Sequence, residues 1–327
     1  MTPQNYLHAS RSLAKLTSLG DIRESKINER FVSKLFELTS DSDSAADEIY
    51  SAALALLAPS NPMVPVQGGT LPGTTGLALT KVGDFEIGKF TVTLEEWRGV
   101  RNWAIENGFD MSLGQSCMTE FGSMQLKEAG LTHPVTNISW CSALKWCNAK
   151  SLMEDLEPVY SVQGEDGYYF RKEFNDDQSD NVVWNPSASG YRLPTRAEWA
   201  WAARGGCKSK GCVYSGSNDL NAVGWYVKNS GEGPHPVGEK AANELGIHDM
   251  SGNVWEWCWD KGPETRSMYA NARVVCGGAW GGDWYGYGAA SCMIDFQVDP
   301  DEPRNTVREY PDSENALVGF RIIRSLK

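Results

Sequence analysis

Apolar positions along the chain change their spacing near residue 60. Before it they recur with a helical period: Ile27, Phe31, Leu35 and Leu38 stand at i, i+4, i+8 and i+11. Ile49, Ala52, Ala53 and Leu56 share one face of a second helix, which Ser44 can cap and Pro59 stops. A weaker helix is expected from Tyr6 to Leu16. Residues 1–60 therefore read as a helical N-terminal segment that packs against or spaces the rest, with partner docking as the alternative. After residue 60 three helix starts stand out. Thr93 and Glu96 form a T-x-x-E capping box ahead of Trp97, Val100 and Ala104, and Thr195 and Glu198 form another ahead of Trp199, Ala202 and Ala203, with Gly205 closing that helix. Ser139 opens a third, striped by Trp140, Ala143, Leu144 and Cys147. Short strands are expected at Phe85–Phe90, Arg273–Val275 and Phe320–Ile323. The long irregular stretches between them are expected to be ordered by tryptophan packing, because all 13 tryptophans lie in this part.

Composition narrows the possibilities. In a chain of 327 residues, 41% hydrophobic content supports a proper core. A formal charge of −12 disfavours binding to a phosphate backbone, so no nucleic-acid partner is expected. The longest apolar run, Ala52 to Ala58, is far too short to span a bilayer, and no basic-then-apolar leader is visible at Met1–Asn5. The 8 cysteines contain no C-x-x-C, so zinc-ribbon and thioredoxin spacings are missing. Most are expected to be buried free thiols, and Cys207 with Cys212, flanking an exposed loop, is the pair to suspect of any bridge. The 4 histidines show no H-x-x-x-H spacing, which removes the standard zinc and iron motifs. A G-x-S-x-G elbow and a phosphate-binding P-loop are likewise absent from the sequence. Gly231-Glu232-Gly233 reads as a turn, and His248 beside Asp249 as a positioned structural histidine.

A string of motifs then runs in order from about residue 62 to 324. It opens with Met63-Val64-Pro65-Val66-Gln67-Gly68-Gly69-Thr70 and Ile87-Gly88-Lys89-Phe90-Thr91-Val92-Thr93, followed by His133-Pro134-Val135-Thr136-Asn137-Ile138-Ser139-Trp140. Gly190-Tyr191-Arg192-Leu193-Pro194-Thr195 and Ala202-Ala203-Arg204-Gly205-Gly206 follow, then Asp249-Met250-Ser251-Gly252-Asn253-Val254-Trp255-Glu256-Trp257. It closes on Gly277-Gly278-Ala279-Trp280 and Gly319-Phe320-Arg321. This resembles the formylglycine-generating-enzyme (sulfatase-modifying factor) family. The resemblance implies an α+β, C-type-lectin-like, loop-rich domain over residues 61–327. It also implies where catalysis would sit: the family oxidises a substrate cysteine with two cysteines spaced C-x4-C soon after a G-G-S-W-like motif. Here those positions hold Gly282 and Tyr287, and without thiolates that chemistry is lost. The chain is therefore expected not to be an enzyme. A divergent oxidase acting on a protein cysteine through Cys276 or Cys292 is the alternative. In the enzymes that this chain resembles, the G-N-x-W-E segment helps hold calcium, which would make Asn253, Val254 and Glu256 metal ligands, oxygen donors of the kind calcium prefers. The competing reading is that Glu256 caps a turn or pairs with an arginine such as Arg192. No cofactor is required otherwise.

Residues 281–316 mix glycines, aromatics and acids without period. Such residues suit a binding surface, since Tyr and Trp offer rigid contact area at low entropic cost. Asp283, Trp284, Tyr285, Tyr287, Asp295 and Phe296 are the candidate ligand-binding residues, whereas Trp280 is expected to be buried with the scaffold. The frame resembles a narrower group, the variable proteins of diversity-generating retroelements, those of treponemes above all, in which a reverse transcriptase diversifies the codons between a G-G-S-W-like motif and a final G-F-R. That resemblance implies a variable region at 273–321, a macromolecular and preferably protein ligand, and a bacterial cell-surface location, with a cytoplasmic one as the alternative.

Overall fold

A computed structural model describes residues 61–72, 77, 79–111, 114, 117–119, 126–128, 130–163, 176–231, 233–262, 271–281, 292, 308–312 and 314–326. The helices expected before residue 60 lie outside the described residues. The described elements are, in order, β1 (Met63–Val66), β2 (Gly69–Thr70), β3 (Lys81–Val82), β4 (Phe85–Gly88), α1 (Leu94–Glu106), β5 (Cys117–Thr119), β6 (Leu126–Glu128) and α2 (Trp140–Met153). They continue with β7 (Tyr160–Val162), β8 (Val182–Trp184), α3 (Arg196–Ala203), the one-turn α4 (Leu220–Val223), β9 (Trp255–Lys261), β10 (Arg273–Cys276), β11 (Arg308–Glu309), β12 (Val318–Phe320) and β13 (Ile323–Ser325).

The three sequence-predicted helix starts are where the local chemistry puts them. Thr195 caps α3 with a full reciprocal box, its hydroxyl accepting from the Glu198 N–H while Glu198 accepts from the Thr195 N–H. Ser139 caps α2 by accepting from the Ser142 N–H. At α1 only half of the box forms. Thr93 accepts from the Glu96 N–H, but the Glu96 carboxyl turns to Lys150 of α2, 3.6 Å away. There burial pushes Glu96 up to about 7, although Lys150 pulls the other way. Lys150 also holds Glu154 at 2.9 Å, and Glu154 accepts from the Tyr191 hydroxyl.

The strands form a three-stranded sheet in the order β1-β4-β13, a four-stranded sheet in the order β11-β10-β9-β12, and three two-stranded ribbons. The expected strand Phe320–Ile323 is in fact two strands. β12 runs parallel to β9 in one sheet and β13 antiparallel to β4 in the other. The chain changes sheets at Arg321 and Ile322 because the Arg321 side chain is drawn fully into the interior.

Two cores result. The larger joins α1 and α2 to one face of β9. Trp97 and Trp146 stack with centroids 6.2 Å apart, and Phe320 meets both edge-on. Each such ring pair adds about 0.5–1.5 kcal/mol beyond its buried area. The smaller core packs α3 against β1, β4 and the other face of β9. Strand alternation divides the W-E-W-C run between them: Trp255 and Trp257 enter the first core, and Cys258 enters the second. The indoles are also tied to the backbone, Trp257 donating to the Ile138 carbonyl and Trp140 to that of Cys258.

Candidate functional site: the root of the 281–317 segment

Strand β9 is central to the site. In the ladder Glu256 faces Cys276 of β10 on one side and Gly319 of β12 on the other. It thus lies between the strand that leads into residues 281–317 and the strand that follows them. Glu256 is fully buried, and so is Arg321. One carboxylate oxygen accepts from the Thr91 hydroxyl at 2.7 Å and from Arg321 Nη2 at 2.9 Å, and the other accepts from Trp199 Nε1 at 2.7 Å and from Arg321 Nε at 3.1 Å. Arg321 also donates through Nη1 to the Gly88 carbonyl and through Nη2 to the His248 carbonyl. Both charges are therefore compensated, and removing one partner of such a pair costs about 3–5 kcal/mol. The arginine that pairs with Glu256 is Arg321. Arg192 binds Glu198 instead, with Nη2 at 2.7 Å and Nη1 at 2.8 Å. Burial pushes Glu198 upward, but the Arg192 and Thr195 donors outweigh it and leave Glu198 below its ordinary value.

Asn253 is a backbone clamp. It adopts φ 65°, a left-handed conformation that asparagine tolerates better than most residues. Its side chain accepts from the His235 N–H and donates to the His235 carbonyl, while its own carbonyl accepts from the Trp280 N–H. Val254 is core. Among the described residues no three His, Cys, Asp or Glu side chains converge as a metal-binding group.

The segment begins and ends at one place. A Cβ on Gly281 would lie 2.6 Å from Leu317 Cδ2, so the chain passes Leu317 closely as it departs and again as it returns. The departure is pinned by buried Trp280, whose carbonyl accepts from the Ser230 hydroxyl at 2.8 Å. Gly277 (φ 102°) and Gly278 (φ 78°) make the preceding bend, which side-chain-bearing residues rarely adopt. The return is pinned by Asn315, whose carbonyl accepts from the Asn137 N–H and whose side chain accepts from the Leu317 N–H. Between them Cys292 is held at its carbonyl by the Ser251 hydroxyl and packs with Leu220 and Tyr226, and β11 pairs with β10.

Asp283, Trp284, Tyr285, Tyr287, Asp295 and Phe296 lie outside the described residues. Trp280 is buried, as expected. Cys292 is buried too, whereas Cys276 is only partly covered and departs from the expectation of a buried thiol. Cys207 and Cys212 are free thiols, the former exposed. His248 and Asp249 form no dyad. The His248 ring approaches the Lys240 carbonyl, and Asp249 accepts from the Gly238 N–H while burial pushes its carboxyl up to about 6. Sequence reasoning missed Thr91, Trp199, Ser230 and Ser251 as parts of the site. Thr91 and Ser251 do lie within the quoted motifs and Trp199 follows the Thr195–Glu198 box, but nothing local names their partners.

The comparisons agree with this frame. The sulfatase-modifying factor enzyme 1-like domain profile matches residues 57–326. The chain belongs to that family. It is 36% identical over 241 residues to the chaperone protein LppX of Paenibacillus barcinonensis, covering 68% of this chain and 79% of that protein. The solved structure of CarF is similar with a TM-score of 0.66 and 29% identity, over 81% of this chain and 98% of that one. Treponema denticola variable protein 1 is similar with a TM-score of 0.60 and 27% identity, over 80% and 94% of the two chains. The family includes active formylglycine-generating enzymes and members named inactive, and the C-type-lectin-like, loop-rich α+β fold is shared. No described helix is long and apolar enough to cross a membrane.

Proposed function

We propose that this member of the family is a non-catalytic binding protein that presents residues 282–316 to a polypeptide ligand. The observation that carries the reading is the close approach of Gly281 to Leu317, which brings the two ends of the segment together beside the strands that flank Glu256. Glycine and tyrosine at positions 282 and 287 remove the family's thiol pair, and LppX is named a chaperone, a protein that handles other polypeptides. Likeness to the treponemal variable protein supports a diversified segment and a bacterial surface location. The six residues Asp283, Trp284, Tyr285, Tyr287, Asp295 and Phe296 are assigned the contact surface.

The test is Trp284→Ala with Tyr287→Ala, measured for binding to an immobilised peptide library and for thermal stability. Binding should fall at least about tenfold, the loss of one hot-spot residue, with Tm nearly unchanged. A loss of several kcal/mol in stability would identify these rings as core and end the proposal. Diversification has its own test: a neighbouring reverse transcriptase and a near-copy of codons 273–321 differing at template adenines. The oxidase reading requires rapid alkylation of Cys276 or Cys292 together with copper binding, and Cys292 is buried. Calcium at Asn253, Val254 and Glu256 is a separate proposal. The Arg321 contacts count against it, because the ion would have to displace the guanidinium. A Tm raised by calcium chloride and lowered by a chelator would support it.

A further inference from the structure

Two thiols meet beneath the root of the segment. Cys258 on β9 and Cys276 on β10 are 18 positions apart in sequence, and their sulfurs are 3.8 Å apart. The approach comes from the ladder. Val275 pairs with Trp257 and Arg273 with Lys261, so three residues of β10 face five of β9, and the surplus begins at Cys258. Cys258 is completely buried among the α3-side core residues, whereas Cys276 is partly open to solvent. Immediately after Cys276 come the left-handed Gly277 and Gly278, then Trp280 and the departure of the segment.

We propose that Cys258 and Cys276 are a reversible dithiol–disulfide pair that staples β9 to β10 where the 281–317 segment leaves the scaffold. The sulfurs must close from 3.8 Å to about 2.0 Å, a shift that two side-chain rotations can share. The oxidant is a small-molecule or protein disulfide. The partly open Cys276, as thiolate, attacks one of its sulfurs and expels a thiolate, leaving a mixed disulfide. The Cys258 thiol then attacks Cys276 Sγ, its proton passing to the departing thiolate, which leaves as the second thiol. Two protein thiols are oxidised to one disulfide, and the oxidant disulfide is reduced to two thiols. Burial holds Cys258 well above the ordinary thiol range, so its attack is the slow step. The staple acts at the base of the segment whatever that segment binds, and it is independent of the binding proposal.

The experiment is incubation of the full chain with oxidised glutathione, followed by alkylation, non-reducing digestion and mass spectrometry. The expected product is a peptide pair joined Cys258–Cys276, with both of these cysteines protected from alkylation, and a Tm about 5 °C or more above the reduced protein, reversed by dithiothreitol. Cys258→Ser should stop at the glutathione adduct on Cys276 and show no rise in Tm. The proposal is overturned if the wild-type protein also stops at that adduct, or if Cys258 remains fully alkylatable once the oxidised protein is unfolded. The wild-type peptide map decides the matter even if the variant fails to fold.

Discussion

Two buried carboxylates in this molecule differ in how they are answered. Glu256 receives a threonine hydroxyl, a tryptophan N–H and a guanidinium. Glu96 has Lys150 at 3.6 Å, and its Oε1 has no hydrogen-bond partner among the described residues. The first joins β9, α3 and the crossover at Arg321, and the second lies between α1 and α2. Burying a charge is costly unless donors replace the lost water. The well-answered site is therefore a fixed structural joint, whereas the poorly answered one holds its proton up to about 7. The joint lies on β9, between the strand that leads into the 281–317 segment and the strand that follows it.

The comparison breaks most sharply at Arg321. Arg321→Met strands Glu256 in the interior and should cost about 3–5 kcal/mol in urea unfolding. Adding Glu256→Gln should recover part of that loss, since the two residues act as one unit. A loss below about 1 kcal/mol would mean that the joint is not structural. Trp199→Phe removes one N–H from the carboxylate and should cost about 2–3 kcal/mol, the worth of a hydrogen bond to a charged group.

Glu96→Gln should do the opposite. Because burial raises the folded-state value from 4.5 to about 7, the stability tied to this proton is present below about 4.5 and is lost as pH rises through 7. The variant should therefore be more stable than the parent at pH 8 by about 1–2 kcal/mol and no better at pH 4. Melting curves across that range check the sign. Asp249, raised to about 6, contributes a slope of the same direction. The smallest effect is expected at Ser230→Ala, which frees the Trp280 carbonyl and should cost about 1 kcal/mol. If the segment's root is as rigid as its contacts indicate, amide exchange should quicken near Gly281 in that variant and not near Glu96.

Much of the scaffold was legible because its signals are local. Thr195 and Glu198 are three positions apart, and their reciprocal bonds form in the helix whatever surrounds it. Thr93 and Glu96 carry the same pattern, yet the glutamate left the box once α2 brought Lys150 near it. Phe320–Ile323 reads as one strand by its apolar run, but an arginine inside it was pulled to a distant carboxylate and split it between two sheets. Glu256 does pair with an arginine, but the arginine is Arg321 and not the example Arg192: both lie in family motifs, and spacing cannot choose between them. The ligand-contact residues are legible only by composition, and they lie outside the described residues.

The amino-acid order alone determined the helix starts, the family frame, and the loss of cysteines at positions 282 and 287. Those properties rest on side chains a few positions apart or on residue identity itself. Only the tertiary structure decided that Glu256 binds Arg321 across 65 positions, that Gly281 returns to Leu317, and that Cys258 meets Cys276. Such contacts depend on which faces the sheets and helices present to one another, and that choice is made by packing of the whole core rather than by any local run of residues.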